Sequence, residues 1–512
     1  PVTTGDQDVW HVWSFGPNNL DAELPNAQSP ALRNRITAGK TMTILDLQDL
    51  KGAEPPGNII VVGSGLAGIA IAQGLEKAGQ RVVVLESGNQ DNPDARWNVR
   101  KSPFAVADYW IQQDFTQLHI RRQFGGTSAV WGGWCAIPRA VTFESRGLGP
   151  SYGWPIGRDA LRPYYEKAAH YLELDTGSDF FAEERSLSST GNTKIGKFFF
   201  SPPVRVLDEF GEGLAKSKLI TVIQNATVVN LLEADGSVGG CVIEGDNGSK
   251  SVIKGHVIVL CGGAVGNARL LGRLTRASGI ALGAQRNIGK WLQEHPHKYR
   301  MFECLLRPDV SKEIFSQGLI NQEKFVSLAP HEDLVRKNKW ADFNFQIGEK
   351  EHEISQEMLI MAQNYRSLFS VTPVVFEATL GMEQLPRVEN SAISSKALAE
   401  GLDGDLNLAF GEDQDELVGH AVTWFTRNIA HSISKPAVPA DTVAVGHLHG
   451  TTRMAASPEF GVVDSSTKVF GVKNLYVAGS SVMPTNGFAN PTFTICALAI
   501  RTADIVLKEM KL

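Results

Sequence analysis

The sequence predicts an α/β chain of two domains, one built on a parallel sheet and the other on a mixed layer of strands and helices. Three observations carry this. An apolar strand at 58–62 leads through a glycine-rich turn into an apolar helix and a second apolar strand. Two later apolar strands, HVIVLC at 256–261 and NLYVA at 474–478, run into glycine-bearing turns and then helices. From about 300 to 444 the glycine turns give way to short strands and helices with many aromatics. At 512 residues the chain is long enough to bury two cores.

Composition excludes several classes. Apolar residues are 43% and charged residues 20%, an ordinary globular mixture. A net charge of −6 without a basic block gives no reason to expect nucleic acid or an anionic membrane as partner. The apolar runs are short and broken by glycine, so no membrane span is expected. No secretory leader is recognised, and a cytoplasmic location is the expectation. The five cysteines (Cys135, Cys241, Cys261, Cys304, Cys496) are scattered without a CxxC pair. They read as buried thiols rather than a disulfide framework or zinc site, and no metal is expected.

Taken in order, residues 1–57 are rich in Pro, Asn and Asp and read as an irregular arm. At 58 the strand NIIVV meets Gly63-Ser-Gly65-Leu66-Ala67-Gly68, then the helix IAIAQGLEKAG and the strand RVVVLE ending on Glu86. This is a dinucleotide fingerprint in its full context: glycines for the tight turn, for pyrophosphate approach and for helix packing, then an acid for ribose hydroxyls. A terminal glutamate suits FAD or NAD and disfavours NADP.

RRQFGGTSAVWGGW (121–134) holds too much glycine for a helix or central strand. Gly125 and Gly126, followed by Thr127 and Ser128, let backbone press against a flat or anionic ligand, with Trp131 and Trp134 alongside. GWPIGRDALRPYYEKAAHYLEL (153–174) is an amphipathic helix with Asp159 as its cap. Residues 219–263 alternate strands with Gly/Asp/Asn turns, a small meander that returns to HVIVLC and the turn GGAVGNARLL. The sequons at Asn225 and Asn247 are taken as chance, and Asn225 is expected inside a strand.

At the C-terminal end, VGHLHGTTRM (445–454) precedes a buried strand and the helix of NPTFTICALAIRTAD. Asn490 is read as N-cap, Pro491 as the first helical position, and Thr492 follows. Such a helix start turns unpaired N–H groups and partial positive charge on what lies ahead of it, as a phosphate or the N1–C2=O edge of a flavin would require.

The ordered set VVGSGLAG with Glu86, FGGTSAVWGG, GWPIGRDALRPYYEKA, CGGAVGNARLL, NIGKWLQEHP, HLHGTTRM and NLYVAGSSVMPTNGFANPTFTICALA resembles the glucose–methanol–choline (GMC) flavoprotein oxidoreductases. It is most similar there to the pyranose-oxidase and bacterial sugar-dehydrogenase branch, over about 58–510. The resemblance implies a Rossmann-like FAD-binding domain (58–133, 203–300 and 445–512) interleaved with a substrate-binding domain (134–202 and 301–444). It adds Val228, Cys261, Gly262, Gly479 and Ser480 to Gly63, Gly65, Leu66, Ala67, Gly68, Glu86, Gly125, Gly126, Thr127, Ser128, Trp131, Asn490, Pro491 and Thr492 as cofactor-binding residues.

Aligned on the Gly-Thr pair, the family's catalytic histidine is His447 and its partner is Asn490. Relatives with a covalent flavin carry a histidine at the position of Val130, so the resemblance implies non-covalent FAD. The implied reaction removes a hydroxyl proton to His447 and passes a hydride to flavin N5, oxidising a sugar, glycoside or polyol-like substrate, with O2 or a quinone-type acceptor as electron partner. The chemistry agrees: a neutral imidazole is the natural base near pH 7, while an amide can orient the substrate oxygen but cannot take its proton. His449 is a lesser substrate candidate, and His295 and His297 read as structural. A non-sugar alcohol, or a lyase reaction without net redox turnover, are the alternative readings. The oligomeric state is left open.

Overall fold

Short runs of Val, Ile and Leu buried on both faces make the first sheet, as strands covered by helices on either side require. The strands are β1 (Ile44–Asp46), β2 (Ile59–Val62), β3 (Val82–Leu85), β4 (Ile220–Gln224), β5 (Val257–Leu260) and β6 (Leu475–Val477). They lie in the order β1-β4-β3-β2-β5-β6, and every pairing is parallel. In this computed structural model the described residues are 44–50, 55, 57–91, 99–101, 120–149, 151–175, 177, 179–182, 184–321, 323–350, 353–435 and 446–510.

Register fixes where the loops emerge. Val62 lies opposite both Leu85 and Leu260, and Leu260 lies opposite Val477. The loops after β2, β3, β5 and β6 therefore open at one sheet edge. The chain leaves β2 toward β3 on one side and has β5 on the other, the topological switch where α/β sheets bind ligands.

Helix α1 (Leu66–Lys77) follows β2, α2 (Gly263–Gly272) follows β5, and α3 (Thr492–Met510) closes the chain. A Cβ at Gly74 of α1 would sit 3.0 Å from the Ala503 methyl of α3, so the two helices cross closely. The helix Arg162–Tyr171 packs on the other flank of α3, with the Tyr165 hydroxyl 2.7 Å from that of Thr494.

A second six-stranded sheet is antiparallel. In spatial order its strands are Ala430–Ile433, His297–Leu306, Val375–Met382, Phe343–Glu349, Phe325–Pro330 and Thr193–Gly196. Phe302, Phe345, Trp424 and Phe425 fill its own core. The meander is a separate three-stranded antiparallel sheet, Thr227–Ala234, Ser237–Glu244 and Lys250–Lys254. Arg139, 2.9 Å from Asp342, and Arg146, bidentate on Glu383 at 2.8 and 2.9 Å, tie the 139–146 segment to the antiparallel sheet.

Several local expectations shift. Most of the N-terminal arm lies outside the described residues, but Ile44–Asp46 is an edge strand rather than irregular chain, its backbone paired with Val222–Gln224. Asn225 is not in a strand; it turns the chain between β4 and Thr227 at φ +53°, is buried, and has its amide engaged by Asn89 and Asp46. Gly157, not Asp159, precedes the turn leading into Arg162–Tyr171, where Pro163 sets the helix start; the Asp159 side chain stays exposed. Helix α3 begins at Thr492, its first backbone bond running from the Ile495 N–H to the Pro491 carbonyl, one residue later than expected.

Candidate active site

The glycine loop after β2 has sharply different demands at its three glycines. Gly63 has φ +105°, and a Cβ there would lie 2.6 Å from the Cys261 carbonyl oxygen. A Cβ at Gly68 would come within 2.0 Å of the Gly63 carbonyl oxygen, so α1 can pack on the turn only with glycine there. Gly65 has ordinary backbone angles and nothing nearer its Cβ position than the Gly125 oxygen at 3.9 Å. What glycine provides there is open ground ahead of the N–H groups of α1, the cradle a pyrophosphate needs. The fingerprint thus fits a dinucleotide on the geometry of this chain. Leu66 and Ala67 are buried in the first turn of α1.

Glu86 directly follows β3 and is buried. Its Oε2 accepts from the Ser64 N–H (2.9 Å) and hydroxyl (2.7 Å), and its Oε1 from the Gly88 N–H (3.0 Å). Burial raises its pKa, and these hydrogen bonds and Arg122 oppose the rise. Through these bonds the carboxylate holds the glycine loop within the protein. The Ser64 hydroxyl in turn accepts from the Gly125 N–H at 2.9 Å, joining the fingerprint to the second glycine loop. There Gly125 (φ +88°) and Gly126 (φ +57°) lie against Gly65, and a Cβ at Gly126 would be 3.3 Å from the Gly65 Cα. Ser128 donates to the Gly125 carbonyl at 2.7 Å, Trp131 Nε1 to the Val204 carbonyl at 2.9 Å, and Thr127 is exposed. Val228, in the first strand of the meander, is buried, its carbonyl taking a 2.6 Å bond from Arg269.

One residue that sequence reasoning passed over links the remaining loops. Asn267 of α2, fully buried, accepts from the Gly262 N–H (2.7 Å) and donates to the Ala478 carbonyl (3.1 Å) and the Ser481 hydroxyl (2.9 Å). It thereby ties the Cys261–Gly262 turn to the loop carrying Gly479 and Ser480. The available signal was a lone amide in the apolar run GGAVGNARLL. Ser480 donates to the Leu448 carbonyl at 2.7 Å, and backbone bonds from Gly450, Thr452 and Met454 to Ser480, Ser481 and Val482 zip the histidine loop onto this one.

The strap Gln293-Glu294-His295 grips the other side of the histidine loop. Gln293 and His449 exchange backbone bonds at 3.0 Å, and the buried Glu294 carboxylate accepts from the Gly446 N–H at 3.2 Å. His295 Nε2 is hydrogen-bonded to His447 Nδ1. The two rings have planes 3° apart and centroids 4.5 Å apart. Face-to-face rings would hold all their atoms about 3.5 Å apart, so a direct N–N hydrogen bond in parallel planes means that these rings meet edge to edge.

His449 is 1% exposed and donates from Nδ1 to the His447 carbonyl at 3.0 Å; His297 donates from Nδ1 to the His295 carbonyl at 3.1 Å. Burial lowers the pKa of each to about 4, and that of His295 well below the usual value, with His447 as its next cause. His447 itself is half-buried. Among the described residues no group of His, Cys, Asp and Glu is arranged to hold a metal ion.

Asn490 is half-buried, separated from α3 by Pro491, and its amide has no hydrogen-bond partner among the described residues. Behind it, Phe493 is locked by edge contacts with Tyr165, Phe180 and Phe199, and Cys496 is fully buried in the core. Val130 is half-buried at the end of the second glycine loop.

Comparison with known proteins gives the following likenesses. Residues 411–499, which include His447 and Asn490, match the GMC oxidoreductase family, and residues 58–97, which include the fingerprint and Glu86, match an FAD binding domain. A 2-methyl-1,2-propanediol dehydrogenase from Mycolicibacterium austroafricanum is 21% identical over 88% of this chain and 95% of its own length. A cholesterol oxidase from Acinetobacter baumannii is 45% identical, but over 60 residues, 12% of this chain and 11% of that one. The solved pyridoxine 4-oxidase from Mesorbium loti shares the fold at a TM-score of 0.53 and 17% identity, covering 88% of this chain and 98% of that one.

Proposed function

We propose, from the premise that this chain belongs to the GMC oxidoreductases and is an FAD-dependent enzyme acting on alcohols, that it oxidises a hydroxyl of a sugar, glycoside or polyol-like substrate to a carbonyl. The observation that carries the mechanism is the grip on His447. Its loop is zipped on one side to Ser480–Val482 and strapped on the other by Gln293–His295, and its Nδ1 is committed to His295.

A base held this way takes a proton at Nε2. The substrate O–H bond breaks, its electron pair stays on oxygen and becomes part of the carbonyl, and the proton ends on His447. Bound FAD would supply the acceptor for the hydride that leaves the same carbon. Asn490 orients the substrate oxygen with its amide NH2, which has no competing partner among the described residues. His295, His297 and His449 stay neutral at pH 7, so no cation among them opposes the charge that develops on His447. His449 serves as a buried support of this loop, with its ring fixed by the His447 carbonyl.

The glycine loops at 63–68 and 125–128 would hold the cofactor. We further propose that its attachment is non-covalent, because Val130 has no group able to bond a flavin ring. In this reading the parallel sheet carries the cofactor while 134–202 and 301–444 shape the substrate pocket. The diol dehydrogenase, matched along most of both chains, supports a polyol-like substrate; the sterol-oxidising relative is matched over a short segment only.

The test is anaerobic bleaching of the bound flavin by a panel of sugars, glycosides, diols and sterols, with the products identified. Bleaching by sterols or aromatic alcohols, and by no sugar or polyol, would reject the substrate class.

A further inference from the structure

We propose that His295 is a positioning residue for the proton transfer, accepting a hydrogen bond from Nδ1–H of His447 and so keeping the lone pair of that ring on Nε2. The proposal rests on the reading of His447 as the base. His295 lies outside both family-matched segments, 58–97 and 411–499, and by sequence it reads as structural.

The geometry leaves little freedom. His295 Nε2 and His447 Nδ1 are in direct contact, and the planes of the two rings are 3° apart. One hydrogen lies between the two nitrogens. Once His447 has taken a proton on Nε2 it bears N–H on both nitrogens, so its Nδ1 must donate and His295 Nε2 must accept. If instead the hydrogen sat on His295, neutral His447 would already carry its own on Nε2 and could not receive the substrate's.

The surroundings hold the pair in place. His297 and His449, the other rings beside it, each spend Nδ1–H on a backbone carbonyl, and those carbonyls belong to His295 and His447 themselves. Among the described residues, charged and titratable neighbours include Glu294, on the Gly446 N–H, Tyr299, stacked on His297, and Arg453, near His449. Desolvation and the neighbouring histidines keep His295 neutral throughout the neutral range, so that its Nε2 is able to accept when its own hydrogen is on Nδ1. The arrangement carries a cost, since Nδ1 of His295 is buried and meets no protein acceptor among the described residues.

The experiment uses the FAD-loaded enzyme and three variants, with stopped-flow flavin reduction measured against pH and the tautomer read by 15N NMR of histidine-labelled protein. His295→Leu removes the acceptor. It should slow reduction roughly 10–10²-fold and move the acid limb of the profile to lower pH, because an acceptor stabilises the imidazolium and its loss makes His447 less basic. Substrate binding should be unchanged. His295→Gln places an amide oxygen near the lost nitrogen and should recover much of the rate. In the wild type, His447 should carry its hydrogen on Nδ1.

Wild-type rate and pH profile in His295→Leu, or hydrogen on Nε2 of neutral wild-type His447, would overturn the proposal. So would a parallel fall of both variants in step with FAD loss and an unshifted profile, which is what packing alone predicts. If His295→Leu does not fold, His295→Gln and the wild-type NMR decide. Reduction at the wild-type rate by His447→Ala would remove the premise itself, and that result is separate from every His295 outcome.

Discussion

Ser64→Ala tests whether the two glycine loops act as one cofactor cradle. The Ser64 hydroxyl is fully buried, donates to Glu86 Oε2 at 2.7 Å and accepts from the Gly125 N–H at 2.9 Å. Alanine removes both bonds while leaving almost no void. The Gly125 N–H is left without an acceptor, a cost of about 1–3 kcal/mol, and the bond to the carboxylate contributes a similar amount. Glu86 keeps the backbone N–H of residue 64, at 2.9 Å, so part of the second loss is offset. A net loss of about 2–4 kcal/mol follows, localised on the junction between the loops.

If FAD binding must restore that junction, affinity falls roughly 30- to 700-fold, since each 1.4 kcal/mol is about tenfold. Titration of apo-protein with FAD, followed by quenching of flavin fluorescence, reads this directly. FAD affinity within threefold of wild type, in a variant whose apo form is measurably less stable, would show that the loops are not coupled through the cofactor and refute the reasoning.

Three other outcomes are expected. His447→Ala should keep FAD and fold while slowing flavin reduction by roughly 10²–10⁴-fold, Asn490→Ala should act more mildly, and His449→Ala weakly; abolition by His449→Ala with a near-normal His447→Ala would exchange their roles. Acid precipitation should release all flavin into the supernatant, and yellow colour left in the pellet would contradict non-covalent attachment at a site with Val130. Asp342, buried beside Glu383 and Glu184, has its pKa pushed up to about 7 by burial first and by those carboxylates, although Arg139 opposes this. A carboxyl whose folded pKa is raised gives its stability fully below its unfolded pKa near 3.8 and loses it as pH rises through about 7. Asp342→Asn should therefore gain on the wild type in denaturation midpoint as pH rises from 4 to 7, and parallel profiles for the two proteins would rule this out.

What the sequence alone determined is what local physics determines. The fingerprint was legible because strand, turn, helix, second strand and terminal acid are contiguous, and each demand on Gly63 and Gly68 arises within a few residues or one strand away. The histidine on a Gly/Thr loop and the helix behind Asn490 were legible for the same reason, with helix α3 misplaced by one residue because Pro491 supplies the first acceptor carbonyl rather than the first helical turn. The partners of these residues were not legible. Glu86 turns inward to Ser64, Asn267 fastens two loops more than 200 residues apart, and His295 meets His447 across 152 positions. A histidine two residues from another in QEHPH has no local signature that distinguishes a core ring from a partner of the base. Only the tertiary structure decides that, because the register of a parallel sheet brings distant strand ends to one edge, and burial there leaves each polar group to be satisfied by whatever the fold sets beside it.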